Sequence, residues 1–280
     1  MQNNIIKILF FGDIVGRVGR NAVIKYLTSL SEKNLMPDFI IANVENASHG
    51  FGLTSKNYNE LADAGINCMT SGNHIWDKKD IFSIIENSDI LLRPYNYEKS
   101  VCGDGLKYFE VNGCKIAVLN FLGRVFMQPL DSPFEIMKEK IEDIKSITPN
   151  IIIDFHAEAT AEKICFAKFC SDIGVSAVLG THTHVQTADE QILGNMAYIT
   201  DVGFCGSLDS VIGMDYDVSL KRVLTHLPYR YEVASGSLAQ INAVEISLDL
   251  LTGVSTGIKR FNFNIDTEKN KEIESEKSIE

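Results

Sequence analysis

An α/β fold is predicted for this chain, and three observations carry the expectation. Short apolar runs of strand length alternate with amphipathic stretches of helix length through most of the sequence. Many of those apolar runs pass directly into Gly, Asp, Asn or His, the residue types that end buried strands. With 45% hydrophobic and 22% charged residues in 280, the chain can bury a large core. One domain over residues 1–265 is expected, followed by a charged tail at 266–280.

Residues 5–11 form the first strand of this reading, because six apolar side chains crowd the seven positions before Gly12-Asp13. Residues 19–30 repeat apolar positions at helical spacing, 39–44 read as a buried strand, and 55–64 as a second helix. A short strand at 68–70 and a helix at 79–87 follow. Residues 108–111 and 115–121 pair as a hairpin, since Asn112-Gly113 favours the left-handed backbone of a two-residue turn. Residues 123–131 are irregular, a lid or an interface in outline. Pro133 then opens a helix to residue 147, which leads to a strand at 150–155, a helix at 161–173 and a strand at 175–179. The remainder alternates as strands at 197–200, 229–234, 240–247 and 257–264. No internal repeat is visible. The tail holds six acidic and three basic residues with almost no apolar anchor, which predicts a solvated end.

A net charge of −11 and a pI near 5.1 give no broad attraction for long polyanions, so a stable nucleic-acid complex is not expected. An anionic substrate would need local positive charge, such as metal. The six cysteines form no CxxC pair and lie mostly in apolar surroundings, the pattern of free buried thiols in a reducing cytoplasm. The start reaches Gly12-Asp13 too soon for a signal-peptide core, and no run is long enough to span a bilayer. A cytoplasmic protein without membrane partners is expected, with homo-oligomerisation left open.

The chemistry concentrates at strand ends, where open α/β sheets assemble their sites. Five apolar runs deliver, in chain order, Asp13; Glu45 and Asn46; Asn73 and His74; His156; and His182 with His184. Alternate residues in extended backbone share a face, so a turn can aim both rings of Gly180-Thr181-His182-Thr183-His184 at one spot, where imidazole nitrogens suit transition metals. Any one of these residues could equally cap a helix or fill a turn. Their recurrence at five successive strand ends is what favours a site.

On Gly12-Asp13-Ile14-Val15-Gly16, Asn43-Val44-Glu45-Asn46-Ala47, Ser71-Gly72-Asn73-His74-Ile75-Trp76-Asp77, Asp154-Phe155-His156-Ala157-Glu158-Ala159-Thr160 and the His-x-His run, the sequence resembles the calcineurin-like metallophosphoesterases. Within them it resembles the bacterial YmdB-like cyclic-nucleotide phosphodiesterases, over most of the chain. Thr200-Asp201-Val202-Gly203 and Asp209-Ser210-Val211-Ile212-Gly213 extend the similarity. The resemblance implies a four-layer α/β/β/α sandwich, two central mixed sheets flanked by helices. It implies two metal ions, one held by Asp13, Glu45, Asn46 and His184, the other by Glu45, Asn73, His156 and His182. Glu45 would bridge them. Iron is implied first, with Mn or Mg as alternatives, in a divalent or mixed-valence pair. The implied reaction is hydrolysis of 2',3'- or 3',5'-cyclic nucleotides by a metal-bridging hydroxide, with His74 as general acid. The chain departs from the broad superfamily where Asp-x-His is here Asp13-Ile14-Val15 and where Glu45 replaces a bridging Asp; both departures match the YmdB-like branch.

Asp77 and Glu158 could each orient a histidine, but helix capping or pairing with Lys78 or Lys163 is the favoured reading. His49 and His226 have no partner ligand nearby in sequence. Arg17 and Arg124 could contact phosphate, although isolated arginines are more often surface charges. Two other function classes stay open. A regulatory protein could hold metal and nucleotide with little turnover, and an amidohydrolase could use a His-x-His pair, though there the pair belongs to the first strand.

Overall fold

Ile6, Ile8 and Phe10 leave one face of the strand Ile5–Phe11 (β1) and Leu9 and Phe11 the other, and all five are buried. A strand apolar on both faces must be covered on both. The computed structural model describes residues 4–268 and shows what covers them. Ile6, Ile8 and Phe10 pack against a second sheet through Val118, Ile152 and Leu179. Leu9 and Phe11 instead meet Val18, Ala22 and Val23 of the helix Gly16–Glu32 (α1).

The first sheet runs β2 (Asp13–Ile14), β11 (Phe204–Ser207), β12 (Leu238–Asp249), β1, β3 (Phe39–Asn43) and β4 (Cys68–Thr70), with β13 (Val254–Asp266) paired to β12. β1, β3 and β4 are parallel, and β12 is antiparallel to β1. The second sheet runs β5 (Leu106–Val111), β6 (Cys114–Leu122), β7 (Ile151–His156), β8 (Ala177–Thr181), β10 (Met196–Ile199) and β9 (Gln191–Leu193). Its central strands β6, β7, β8 and β10 are parallel, and each edge strand is antiparallel to its neighbour. Helices α4 (Pro133–Lys145) and α5 (Thr160–Asp172) cover its outer face through Met137, Ile141, Phe166 and Ala167. α2 (Ser55–Asp63) and α3 (Ile81–Ile85) join α1 on the other side. The order is therefore helix, mixed sheet, mixed sheet, helix, the sandwich of the metallophosphoesterase type.

Local chemistry explains several boundaries. Asn112 and Gly113 both have positive φ, 51° and 79°, the mirror-image turn a tight hairpin needs. Thr54 and Ser132 cap α2 and α4 by accepting backbone N–H groups, and Pro133 takes the first helical position. The expected strand at 229–234 does not form. Only Val233 bridges, to Met214, while residues 229–232 face solvent, because alternation makes a strand only where a neighbouring edge accepts it. The helix α6 (Tyr216–Thr225), capped by Asp215, was not expected; it buries only Ser219 and so has no core-facing stripe to read. Strands β2, β9 and β11 were also not expected, being two to four residues long. Three of the six free cysteines, Cys68, Cys170 and Cys205, are buried, while Cys165 is exposed, which corrects the expectation of mostly buried thiols. Most of the 266–280 tail lies outside the described residues. Among the described residues no helix is long and apolar enough to cross a membrane.

Candidate metal centre

Because β1, β3 and β4 run parallel in one sheet and β7 and β8 in the other, their C-terminal ends bring the polar residues together. Asp13 follows β1, Glu45 and Asn46 follow β3, and Asn73 follows β4. His156 closes β7, and His182 and His184 follow β8. Gly72 lets the layers meet, since a Cβ there would collide with Glu45 Oε2 and His156 Nε2. The two ring-bearing residues of the His-x-His turn, His182 and His184, both have positive φ, 99° and 63°, strain of the kind that clusters at functional sites.

Glu45, His156 and His182 each place a ligand atom within 4.8 Å of the others. His156 Nε2 is 3.1 Å from Glu45 Oε1 and 3.0 Å from His182 Nδ1. The far side of each ring is held. The Thr181 hydroxyl donates to Asp154 Oδ1 at 2.7 Å and so accepts from His156 Nδ1–H at 2.8 Å, which leaves Nε2 facing the site. His182 Nε2–H reaches Glu158 Oε2 at 3.0 Å, which leaves Nδ1 facing it.

Next to this trio lie Asp13, Asn46 and His184. His184 Nδ1–H donates to the Ile212 carbonyl at 2.8 Å, turning Nε2 towards Asn46 Nδ2 at 3.2 Å and Asp13 Oδ1 at 3.8 Å. The Asn46 amide nitrogen also touches Glu45 Oε1 at 3.1 Å, so acting as a ligand would require the amide to turn over and present Oδ1. Asp13 Oδ2 accepts from His182 N–H at 3.1 Å. Its other oxygen, Asp13 Oδ1, and Asn73 Oδ1 are buried without any hydrogen-bond partner. Asp13 Oδ1, 3.8 Å from both His156 Nδ1 and His184 Nε2, adds an orphaned oxygen to these imidazoles, a donor set suited to cations because a buried acceptor left unpaired is costly. The residues fit a metal.

The charges settle accordingly. Burial would lower His156, but Glu45 and Asp13 beside it raise it to about 9. Burial and the neighbouring His156 charge push His182 down to about 3. Burial raises Asp13, whereas the cationic His156 holds Glu45 below its ordinary value despite burial. In the metal-free protein the His156 pairing therefore stabilises the fold fully below the ordinary value of 6.5 and is lost as pH rises through about 9. A metal needs the neutral ring, so binding must displace this proton. Titration of Mn²⁺ in buffers of different ionisation enthalpy at pH 7.5 is expected to show proton release, with affinity rising towards pH 9.

A second layer fixes the turn between the two histidines. Lys163 of α5, itself buried, donates from Nζ to Asp201 Oδ2 at 2.6 Å and to the Thr181 carbonyl at 2.7 Å. Asp201 Oδ2 also accepts from Thr183 N at 3.1 Å, and Asp201 Oδ1 accepts from Gly203 N, whose own carbonyl receives Asp13 N–H. Lys163 and Asp201 thus brace both sides of the site. Lys163→Met strands a buried carboxylate and is expected to cost about 3–5 kcal/mol in urea unfolding. The double variant Lys163→Met/Asp201→Asn is expected to recover part of that loss. Sequence reading passed over this brace, although Thr200-Asp201-Val202-Gly203 stood out; a helix lysine reads as surface charge.

His74 N donates to Glu45 Oε2 at 2.9 Å, and His74 Nδ1 lies 2.9 Å from Asp77 Oδ2. Both Asp77 and Glu158 therefore orient histidines, which corrects the preference for capping or lysine pairing; Lys163 is taken by Asp201. The side chains of His74, Glu45, Asn46, His182 and His184 line one cavity of about 400 Å³. Arg17 and Arg124 line other cavities, as does the 123–131 segment, which is tied back where Glu162 accepts Arg124 N–H and Val125 N–H. His49 lies with Arg17, and His226 caps the end of α6. The cavity over the candidate site is lined further by Val211, Ile212, Met214, Arg222, Val223 and Tyr231.

A four-layer sandwich with imidazole and carboxylate donors gathered at its parallel strand ends defines the chain as metallophosphoesterase-like in fold. Residues 9–261 match the model of the YmdB-like protein family, and the chain belongs to that family. The 2',3'-cyclic-nucleotide 2'-phosphodiesterase of Bacillus subtilis (strain 168) is 46% identical over 262 residues, covering 93% of this chain and 98% of that protein. Two crystal structures superpose closely. A novel phosphatase from Mycoplasma pneumoniae gives a TM-score of 0.87 at 37% identity, over 95% of each chain. A hypothetical protein from Thermus thermophilus gives 0.86 at 35%, over 92% of this chain and 99% of that one.

Proposed function

We propose that this chain is a dinuclear metal-dependent phosphodiesterase acting on small cyclic nucleotides, 2',3'-cyclic first and 3',5'-cyclic as the alternative ring. The observation that carries the reading is the position of Glu45 Oε1, 3.1 Å from His156 Nε2 and 3.1 Å from Asn46 Nδ2. One carboxylate oxygen thus touches both groups of donors, as a bridging ligand would. In this assignment Asp13, Asn46 and His184 hold one ion, Asn73, His156 and His182 the other, and Glu45 both. Bound there, two cations supply Lewis-acid stabilisation of the phosphate and a nucleophile at neutral pH. The nitrogen and oxygen donors, without thiolate, suit Fe or Mn better than Mg, which takes oxygen ligands.

His74 is the proton donor of this reading. Its Nδ1–H is held by Asp77, so the ring presents Nε2 to the cavity, where Nε2–H can protonate the ribose oxygen as its bond to phosphorus breaks. The name of the Bacillus subtilis relative supports both the bond cleaved and the substrate class. Six free cysteines support a reducing, cytoplasmic setting.

Hydrolysis of 2',3'-cyclic AMP and bis-p-nitrophenyl phosphate with Mn²⁺ tests the reaction. Turnover that EDTA abolishes and Mn²⁺ restores is expected. Metal-dependent nucleotide binding without hydrolysis would sink the enzyme reading in favour of a regulatory binding protein.

A further inference from the structure

The cavity over the candidate metal centre has two chemically different halves. One is the donor cluster with His74; the other is made by Phe51, Val211, Ile212, Val223, Tyr231 and Arg222. A phosphate needs only the first. The second leaves apolar surface facing water, with Ile212 47%, Val223 71% and Tyr231 41% exposed. Apolar walls beside a few convergent polar groups are how small-molecule pockets hold the non-reacting part of a ligand.

Its placement shows which part. The Phe51 ring lies 4.8 Å from the His74 imidazole, edge to face, and both line the same cavity, so Phe51 borders the ring that would protonate the leaving oxygen. Tyr231 continues that wall, its centroid 6.1 Å from Phe51 and its plane tilted by 44°. Two rings so close and tilted leave no slot between them for a third. They form adjoining panels, so that a flat ring can stack on one and meet the other at its edge. The Arg222 guanidinium sits 4.0 Å over Tyr231 and donates through Nη1 to the Tyr229 carbonyl, which fixes it, and the residue lines the cavity.

We propose that Phe51, Tyr231 and Arg222 form a nucleobase subsite that selects purines, deepening the phosphodiesterase reading on which it rests. The base stacks on one aromatic panel and meets the edge of the other, and the larger purine covers more of both than a pyrimidine does. Arg222 supplies N–H donors for the acceptor edge that purines carry at N7. The sugar then spans from this wall to His74, and the phosphate meets the donor cluster.

Calorimetric titration of the Mn²⁺-loaded protein with adenosine 3'-monophosphate, cytidine 3'-monophosphate and ribose 3-phosphate tests this apart from turnover. The adenosine nucleotide is expected to bind about tenfold more tightly than the sugar phosphate, the scale of one base stacked on an aromatic ring, with cytidine between. Tyr231→Ala should erase most of that difference without weakening ribose 3-phosphate, and Tyr231→Phe, which keeps the ring, should retain it. Equal affinity for the three ligands in the wild type, including no binding of any, overturns the subsite. So does a Tyr231→Ala loss that falls equally on nucleotide and sugar phosphate. Selective purine binding by a protein that hydrolyses no cyclic phosphate would overturn the reaction and leave the subsite standing.

Discussion

Replacing His74 with alanine lowers the turnover of a cyclic phosphodiester by about 10²–10⁴-fold, the contribution of a positioned general acid. The metal is expected to stay. His74 touches Glu45 through its backbone N–H, which alanine keeps, and its imidazole Nδ1 is bonded to Asp77 and not to the donor cluster. A purely structural histidine would instead change metal content and stability together. The prediction is checked by measuring kcat and metal stoichiometry on the same preparation: kcat falls while metal per chain is unchanged. With an activated leaving group such as p-nitrophenolate, which needs little protonation, the loss is expected to shrink. Asp77→Asn should give a smaller loss of the same kind, because it weakens the hold on Nδ1–H without removing the ring.

Glu45→Gln has a different and broader effect. Glu45 carries the anionic charge that touches both donor groups, and His156 keeps its raised pKa largely through that carboxylate. The amide is nearly the same size, so the fold is preserved, but neither ion retains its shared anionic ligand. Metal affinity is expected to fall by more than about 100-fold, beyond the loss typical of an outer-shell partner, with activity lost alongside it. In the metal-free variant, NMR titration of the His156 ring should show its pKa moving down from about 9. A variant that kept both its metals would show that Glu45 is no bridge.

The strand ends are legible in the sequence, for a physical reason. A run such as residues 151–153 has no packing use for the Asp154 and His156 that follow, and the same mismatch recurs at Asp13, Glu45, Asn73 and His182. A parallel α/β sheet brings such ends to one edge, so their convergence needed only the fold class. The four-layer arrangement was not in the periodicity, because an apolar strand face looks the same whether a helix or a sheet covers it; it came from the resemblance.

What escaped depends on contacts between distant residues. Lys163 and Asp201 are 38 positions apart, and nothing local distinguishes this lysine from a solvated one. Glu158 was left as a cap or lysine partner because its contact with His182 exists only once β7 and β8 lie side by side. α6 was missed for the opposite reason: Leu220, Val223 and Leu224 are exposed, so its sequence carries no stripe matched to a core. The 229–234 segment alternates like a strand yet finds a partner only at Val233.

The central claim is a pair of ions that share Glu45. Anomalous X-ray diffraction from crystals of the protein as purified, collected on both sides of the Fe and Mn absorption edges, tests it most directly. The account predicts two anomalous peaks roughly 3.5–4 Å apart, with Glu45 between them. Asp13, Asn46 and His184 should lie on one, and Asn73, His156 and His182 on the other. A single peak, or two that leave Glu45 uncoordinated, would contradict it.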